Sequence, residues 1–149
     1  MELAYAYKPK NKDASVKAIA RDLNMSPKDA ILICDVLRGM PLDKAIAYLK
    51  DVVALKKPVP HPKYNKSTGH RKEDGFGPGR YPQKAAREIL LLLENLTTNA
   101  EYKGLSPEGL KLTHIQALKG ITRRKRKPKG RWKVWRTQLV HLQAICEGK

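Results

Sequence analysis

A chain of 149 residues, 41% hydrophobic, carrying a formal net charge of +17, suits one packed domain and is too short for a catalytic domain joined to a separate binding domain. So large a positive excess points to a polyanionic partner, and no apolar run approaches the roughly 18 residues of a membrane span. The excess is concentrated: residues 56–84 carry a net +6 and residues 119–136 a net +10, with no acid in the second segment. The remaining segments are close to neutral.

Glu2 and the early lysines interrupt any apolar start, so no signal peptide is expected and the chain reads as an intracellular protein, soluble or built into an assembly. Cys34 and Cys146 lie far apart, each in an apolar run. Buried, reduced thiols are expected of them rather than a disulfide or a ligand pair. Residues 3–8, LAYAYK, alternate with Leu3, Tyr5 and Tyr7 on one side, the pattern of a short strand. Val16, Ile19, Ala20 and Leu23 fall at i, i+3, i+4 and i+7 and predict a short helix.

At Ser26-Pro27-Lys28-Asp29 a capping serine, a proline at the first helical position and an acid three residues after the cap predict a helix start. The helix should run to about Leu37, end at Gly39, and turn Ala30, Ile33, Cys34 and Leu37 inward. Pro41-Leu42-Asp43 restarts a helix, whose period is kept by Leu42, Ala45, Ile46, Leu49, Val52 and Val53. Lys56 and Lys57 are expected in its last turn, where the helix dipole favours cations.

From Pro58 to Tyr81 four prolines and four glycines break any apolar period, and a loop of that length is either functional or disordered. Its basic charge and its aromatics Tyr64, Phe76 and Tyr81 fit a segment ordered against RNA and solvated without it. Pro82 to Thr98 returns to helix, with Ala85, Ala86, Ile89, Leu90, Leu93 and Leu96 on one stripe and Leu91 and Leu92 widening it. A turn at Lys103-Gly104 and a tight turn at Ser106 to Gly109 follow.

Lys111–Leu118 and Gln138–Ile145 have the Leu, Val and Ile content of strands. Between them lies KGITRRKRKPKGRWKVWR, with Pro128-Lys129-Gly130 at its middle, which predicts two strands meeting at a turn. With LAYAY these strands imply an α+β fold: a three-stranded antiparallel sheet on about three helices, with a long protruding basic β-hairpin. Each arm would span about 50 Å at about 3.3 Å per residue. The whole chain reads as a single domain, 1–149, with a basic Pro/Gly loop at 57–81 and an extended arm at 119–136.

The candidate RNA-binding residues are the loop's Lys63, Lys66, Arg71, Lys72, Arg80 and Tyr81 and the arm's Lys119, Arg123, Arg124, Lys125, Arg126, Lys127, Lys129, Arg131, Trp132, Lys133, Trp135 and Arg136. Phosphate neutralisation by such a set makes binding fall steeply with salt. The two tryptophans suit stacking on exposed bases, or they pair across the hairpin and touch none. No zinc-finger, base-reading helix or RNP pattern is present, so the expected target is folded RNA read by shape. No metal or cofactor is expected. His61 and His70 sit near Glu73 and Asp74, but the HExxH or CxxC spacing of a metal or acid–base site is missing. Solvated or phosphate-contacting histidines are the expectation there, with His114 and His141 facing each other across the sheet. A free RNA chaperone or a DNA-binding protein remains the other reading of the charge alone.

The succession SPKDAILICDVLRGMPLDKAIAYL, then GPGRYPQKAAREILLLLENLTTNA, then a basic hairpin containing Gly130-Arg131 resembles the large-subunit ribosomal protein L twenty-two family in its archaeal and eukaryotic form. The resemblance covers nearly the whole chain. It implies a cytoplasmic constituent of the large ribosomal subunit that binds several rRNA domains early in assembly. It also implies a body near the exit of the nascent-peptide tunnel, beside neighbouring ribosomal proteins. The hairpin would run inward, its tip at Lys127, Pro128, Lys129, Gly130 and Arg131 lining the tunnel wall against the nascent polypeptide. Pro128 replaces the family's usual alanine, and Trp132 and Trp135 are bulkier than its common residues.

Overall fold

The computed structural model describes residues 4–72, 77–127, 129 and 133–148. Expectations for Leu3, Glu73, Asp74, Phe76, Pro128, Gly130, Arg131 and Trp132 lie outside the described residues. The elements are β1 (Ser15–Leu23), α1 (Pro27–Leu37), α2 (Leu42–Val53), β2 (Val59–Pro60), β3 (His70–Arg71), β4 (Gly77–Arg80), α3 (Gln83–Tyr102), a 3₁₀ turn at Pro107–Gly109, β5 (Lys111–Arg126) and β6 (Val134–Glu147). The fold is α+β, with three helices against a three-stranded antiparallel sheet ordered β1-β6-β5.

The first strand is not where the alternation placed it. Val16 to Leu23, expected as a short helix, lies in β1, which pairs antiparallel with β6 from Ser15↔Glu147 to Leu23↔Val140. Its buried residues Val16 and Ala18 follow a period of two, and pairing with a buried neighbour overrides a short helical stripe. LAYAY, expected as the third strand, has no strand assignment over its described residues. It lies instead across the sheet's outer face. Ala6 N donates to Gln143 Oε1 at 3.1 Å, and Gln143 Nε2 donates to the Ala4 carbonyl at 2.9 Å. One buried glutamine side chain replaces a backbone ladder there.

Capping fixes α1 where the sequence predicted. The Asp29 amide donates to Ser26 Oγ at 3.5 Å, and Gly39 at φ +84° takes the left-handed turn that glycine tolerates. The corner after α1 docks on the start of β5: Gly39 N donates to Leu112 O, Leu112 N to Met40 O and Leu42 N to Leu110 O, at 2.8, 2.9 and 3.0 Å. α2 ends at Val53, so Lys56 and Lys57 fall beyond its last turn, where Lys50 stands instead. α3 extends past Thr98 to Tyr102 and buries Ala85, Ala86, Ile89, Leu92, Leu93, Leu96 and Ala100. Leu92 widens the stripe inward, whereas Leu91 faces solvent.

α1 and α3 cover one face of the sheet and α2 packs on α3. Leu112, Ile115, Val140, Leu142, Ala144 and Cys146 join the helices in one core. Both cysteines are free and buried. Residues 57–81, expected as a loop without order of its own, contain a second small antiparallel sheet ordered β2-β4-β3. His61 N donates to Pro78 O at 2.9 Å, so Pro78, which has no N–H to give, serves this sheet as an acceptor.

Candidate nucleic-acid interface

β5 and β6 carry the packed sheet outward, with register shifts at Leu112/His114 and Lys119/Thr122. Their register runs from Lys111↔Glu147 through Lys119↔Val140 and, after a shift, from Thr122↔Gln138 to Arg126↔Val134. Lys127 N then donates to Lys133 O at 3.1 Å, and Lys129 takes φ +63° at the turn. Along this ladder burial stops at Leu139 and Val140. Arg123, Arg124, Lys125 and Arg126 on one strand, and Val134, Trp135 and Arg136 on the other, are exposed.

The cross-strand neighbours explain why this arm is not self-sufficient. Arg124 stands opposite Arg136 and Lys125 opposite Trp135, and like charges directly opposed destabilise a ladder. Among the described residues no ion pair involves an arm cation. Trp135 and Ile121 are about half exposed or more, at 55% and 63%, so the arm also presents flat apolar surface between its charges. Trp135 faces Lys125, and Trp132 lies outside the described residues.

The loop residues divide differently. Lys63, Lys66, Arg71, Lys72 and Arg80 are all exposed, but Arg71 is tied internally: its Nε donates to Gly79 O at 3.3 Å and its guanidinium lies 5.2 Å from the Tyr81 ring centroid. Arg80 donates from Nη2 to the Lys66 carbonyl at 3.4 Å. Tyr81 is half-buried. The loop therefore offers a placed cluster of cations near the start of α1, on the body, as a patch separate in sequence from the arm.

The histidines depart from expectation. His61 is buried, at 1% exposure, and its Nδ1 lies 2.8 Å from the Val59 carbonyl. His114 pairs with Ile145 and His141 with Leu118, so the two do not face each other. His114 stacks on Tyr7 with centroids 5.4 Å apart, and burial, helped by the Arg38 charge, lowers its pKa. His141 Nδ1 accepts from Asp22 N at 3.0 Å. A histidine between two prolines gives no sequence signal of burial, and Asp29 reads only as a capping acid. Both were missed as members of one cavity.

An α+β body bearing a basic loop and a cationic two-stranded arm defines a class of small protein whose charged surface lies outside its own core. The family model for Ribosomal protein L22p/L17e matches residues 18–147. Relatives similar to the chain include Large ribosomal subunit protein uL22 of Methanococcus aeolicus, 44% identical over 136 residues covering 89% of each chain. The protein of the same description from Methanocaldococcus jannaschii is 42% identical over 140 residues, 92% of this chain and 90% of the relative. That from Methanopyrus kandleri is 42% identical over 149 residues, 96% and 94%. The chain belongs to the ribosomal protein L22p/L17e family. That family is structural rather than catalytic, which removes the enzyme alternative.

Proposed function

We propose that this chain is a structural constituent of the large ribosomal subunit in the cytoplasm, a single domain that binds rRNA and assists early subunit assembly. The observation that carries the reading is the exposed, acid-free ladder of Arg123–Arg126 against Val134–Arg136 in a chain of this family. Such a ladder meets phosphates along its length and offers Trp135 to an unstacked base. The loop cations Lys63, Lys66, Lys72 and Arg80 add a second phosphate-facing patch on the body. The tip, with Lys127 and Lys129, lines the nascent-peptide tunnel, and the body sits near its exit beside other large-subunit proteins.

The test is sedimentation of the tagged chain in cell extract. The expected result is co-migration with the large subunit, with release only at high salt. Recovery mainly as free protein, or on DNA, overturns the reading. For the tip, Lys129→Ala should change nascent-chain stalling or sensitivity to tunnel-binding drugs while subunit yield holds. A pure assembly defect overturns the tunnel placement.

A further inference from the structure

Where the small sheet meets the start of α1, a cavity of about 540 Å³ is lined by Lys28, Asp29, His61, Tyr64, Lys66 and Arg80, with Asn65 at its edge. That volume lies in the range of small-ligand sites. At its floor is a polar mismatch. A carbonyl can only accept, so the 2.8 Å contact to Val59 O places a proton on His61 Nδ1, and in the neutral form of the ring Nε2 is then an acceptor. Nε2 is buried and has no hydrogen-bond partner. Asp29 Oδ1 lies 3.7 Å away, itself an acceptor and beyond hydrogen-bond range. With the ring in that form, two acceptors converge on one point with no donor between them.

The neighbouring cation does not fill the gap, because Lys28 Nζ lies over the Tyr64 ring, 5.0 Å from its centroid. Around the mouth the character reverses: Lys66 and Arg80 are exposed cations joined through the Arg80 Nη2 to Lys66 carbonyl contact. Tyr64 is 49% exposed and offers a ring face. A ligand that satisfies all of this carries N–H donors at one end, a flat ring in the middle and an anion at the other.

We propose that this cavity holds a single unstacked RNA nucleotide whose base bears an exocyclic amino group. The amino group donates to His61 Nε2 and Asp29 Oδ1, the base lies against Tyr64, and the 5′ phosphate meets Lys66 and Arg80. The Asp29 carboxylate excludes the phosphate from the floor by charge and so sets the ligand's direction. Uracil, which presents a carbonyl where cytosine presents its amino group, is disfavoured. This inference rests on the proposed RNA-binding function and adds a base-reading site to it.

The experiment is titration of the full chain, ¹⁵N-labelled, with CMP, UMP and inorganic phosphate, following the His61 ring and the amides around Tyr64 by NMR. Expected are shifts confined to the cavity and binding of CMP about tenfold tighter than UMP, the discrimination one charge-assisted hydrogen bond supplies. Asp29→Asn, which leaves the buried ring in place, should remove that preference. Equal response to CMP, UMP and phosphate would show a plain anion site and overturn the proposal. So would silence toward all three, or a response to arginine methyl ester alone, which would mark a site for a basic peptide. None of those results bears on rRNA binding by the arm. Failure to sediment with the large subunit, with the CMP preference intact, would instead sink the broader function.

Discussion

Gly120 stands at the root of the arm, in the register shift between the Lys119↔Val140 and Thr122↔Gln138 pairs. A Cβ added there would lie 2.9 Å from the Leu139 carbonyl oxygen, 3.0 Å from its carbonyl carbon and 3.3 Å from His141 Cε1. The first two atoms are backbone of the paired strand and cannot rotate away, so Gly120→Ala must push β6 or open the ladder. Overpacking of this kind costs about 1–3 kcal/mol. Alanine's smaller loss of backbone entropy in a strand returns about 0.5–1 kcal/mol. Taking the middle of each range, the net loss is about 1.3 kcal/mol. Gly69 is the control, since nothing lies within 4 Å of its added Cβ, and Gly69→Ala should be neutral or stabilise by about 0.4–1 kcal/mol. In urea, with a slope of about 2 kcal/mol/M, the Gly120→Ala midpoint should fall by about 0.6 M at unchanged slope. A midpoint at or above the parent's, with the Gly69→Ala control behaving as stated, would refute the close approach at the arm's root.

Changing Arg123, Arg124, Lys125 and Arg126 to Gln should lower the slope of log binding constant against log salt for large-subunit rRNA by about 3. The thermal midpoint should hold or rise, because the Arg124↔Arg136 opposition is relieved. Deleting 121–134 and closing the gap with a short turn should leave the urea transition cooperative and rRNA binding weaker; an unfolded product would contradict the separation of arm and core. Burial pushes the Cys34 and Cys146 thiols up to about 12 from 9.0, so above pH 9 the unfolded chain loses protons that the fold retains. Their contribution is complete below pH 9 and is lost as pH climbs toward 12; Cys34→Ala with Cys146→Ala should flatten the urea midpoint's alkaline decline.

The helices were legible because their signals are local. Ser26 capping Asp29 N and the left-handed Gly39 act within one turn of the chain, and the apolar stripe of α3 needs no partner to be seen. The strands were legible only where a second strand was implied by apolar runs on both sides of a turn, as in β5 and β6. β1 was misread because small alanines satisfy both periods: Val16, Ile19, Ala20 and Leu23 make a helical stripe, yet Val16 and Ala18 are the residues that face the core. Only pairing with β6 decides between them, and that neighbour is more than a hundred residues away. LAYAY alternates as a strand does, but the side chain of Gln143 occupies its hydrogen-bonding groups. The arm's cations were visible as composition. The His61 and Asp29 juxtaposition was not, because it is made by the β2–β4 pairing of a proline- and glycine-rich segment that has no period to read.

What the body contributes to the arm is direction. β5 and β6 are single strands rooted in the core, where Leu112, Ile115, Leu142 and Ala144 are buried, and their hydrogen-bonded ladder continues through Arg126↔Val134. The buried apolar side chains end at Ile115 and Leu139 while the ladder goes on, so the outer pairs inherit their orientation from packing they take no part in. A cationic tail of the same composition on a flexible tether would meet phosphates with comparable charge but would lose more conformational freedom on binding. On the proposed function, the core's task is to set that direction in advance, and the repulsion built into Arg124 and Arg136 is what the bound phosphates offset.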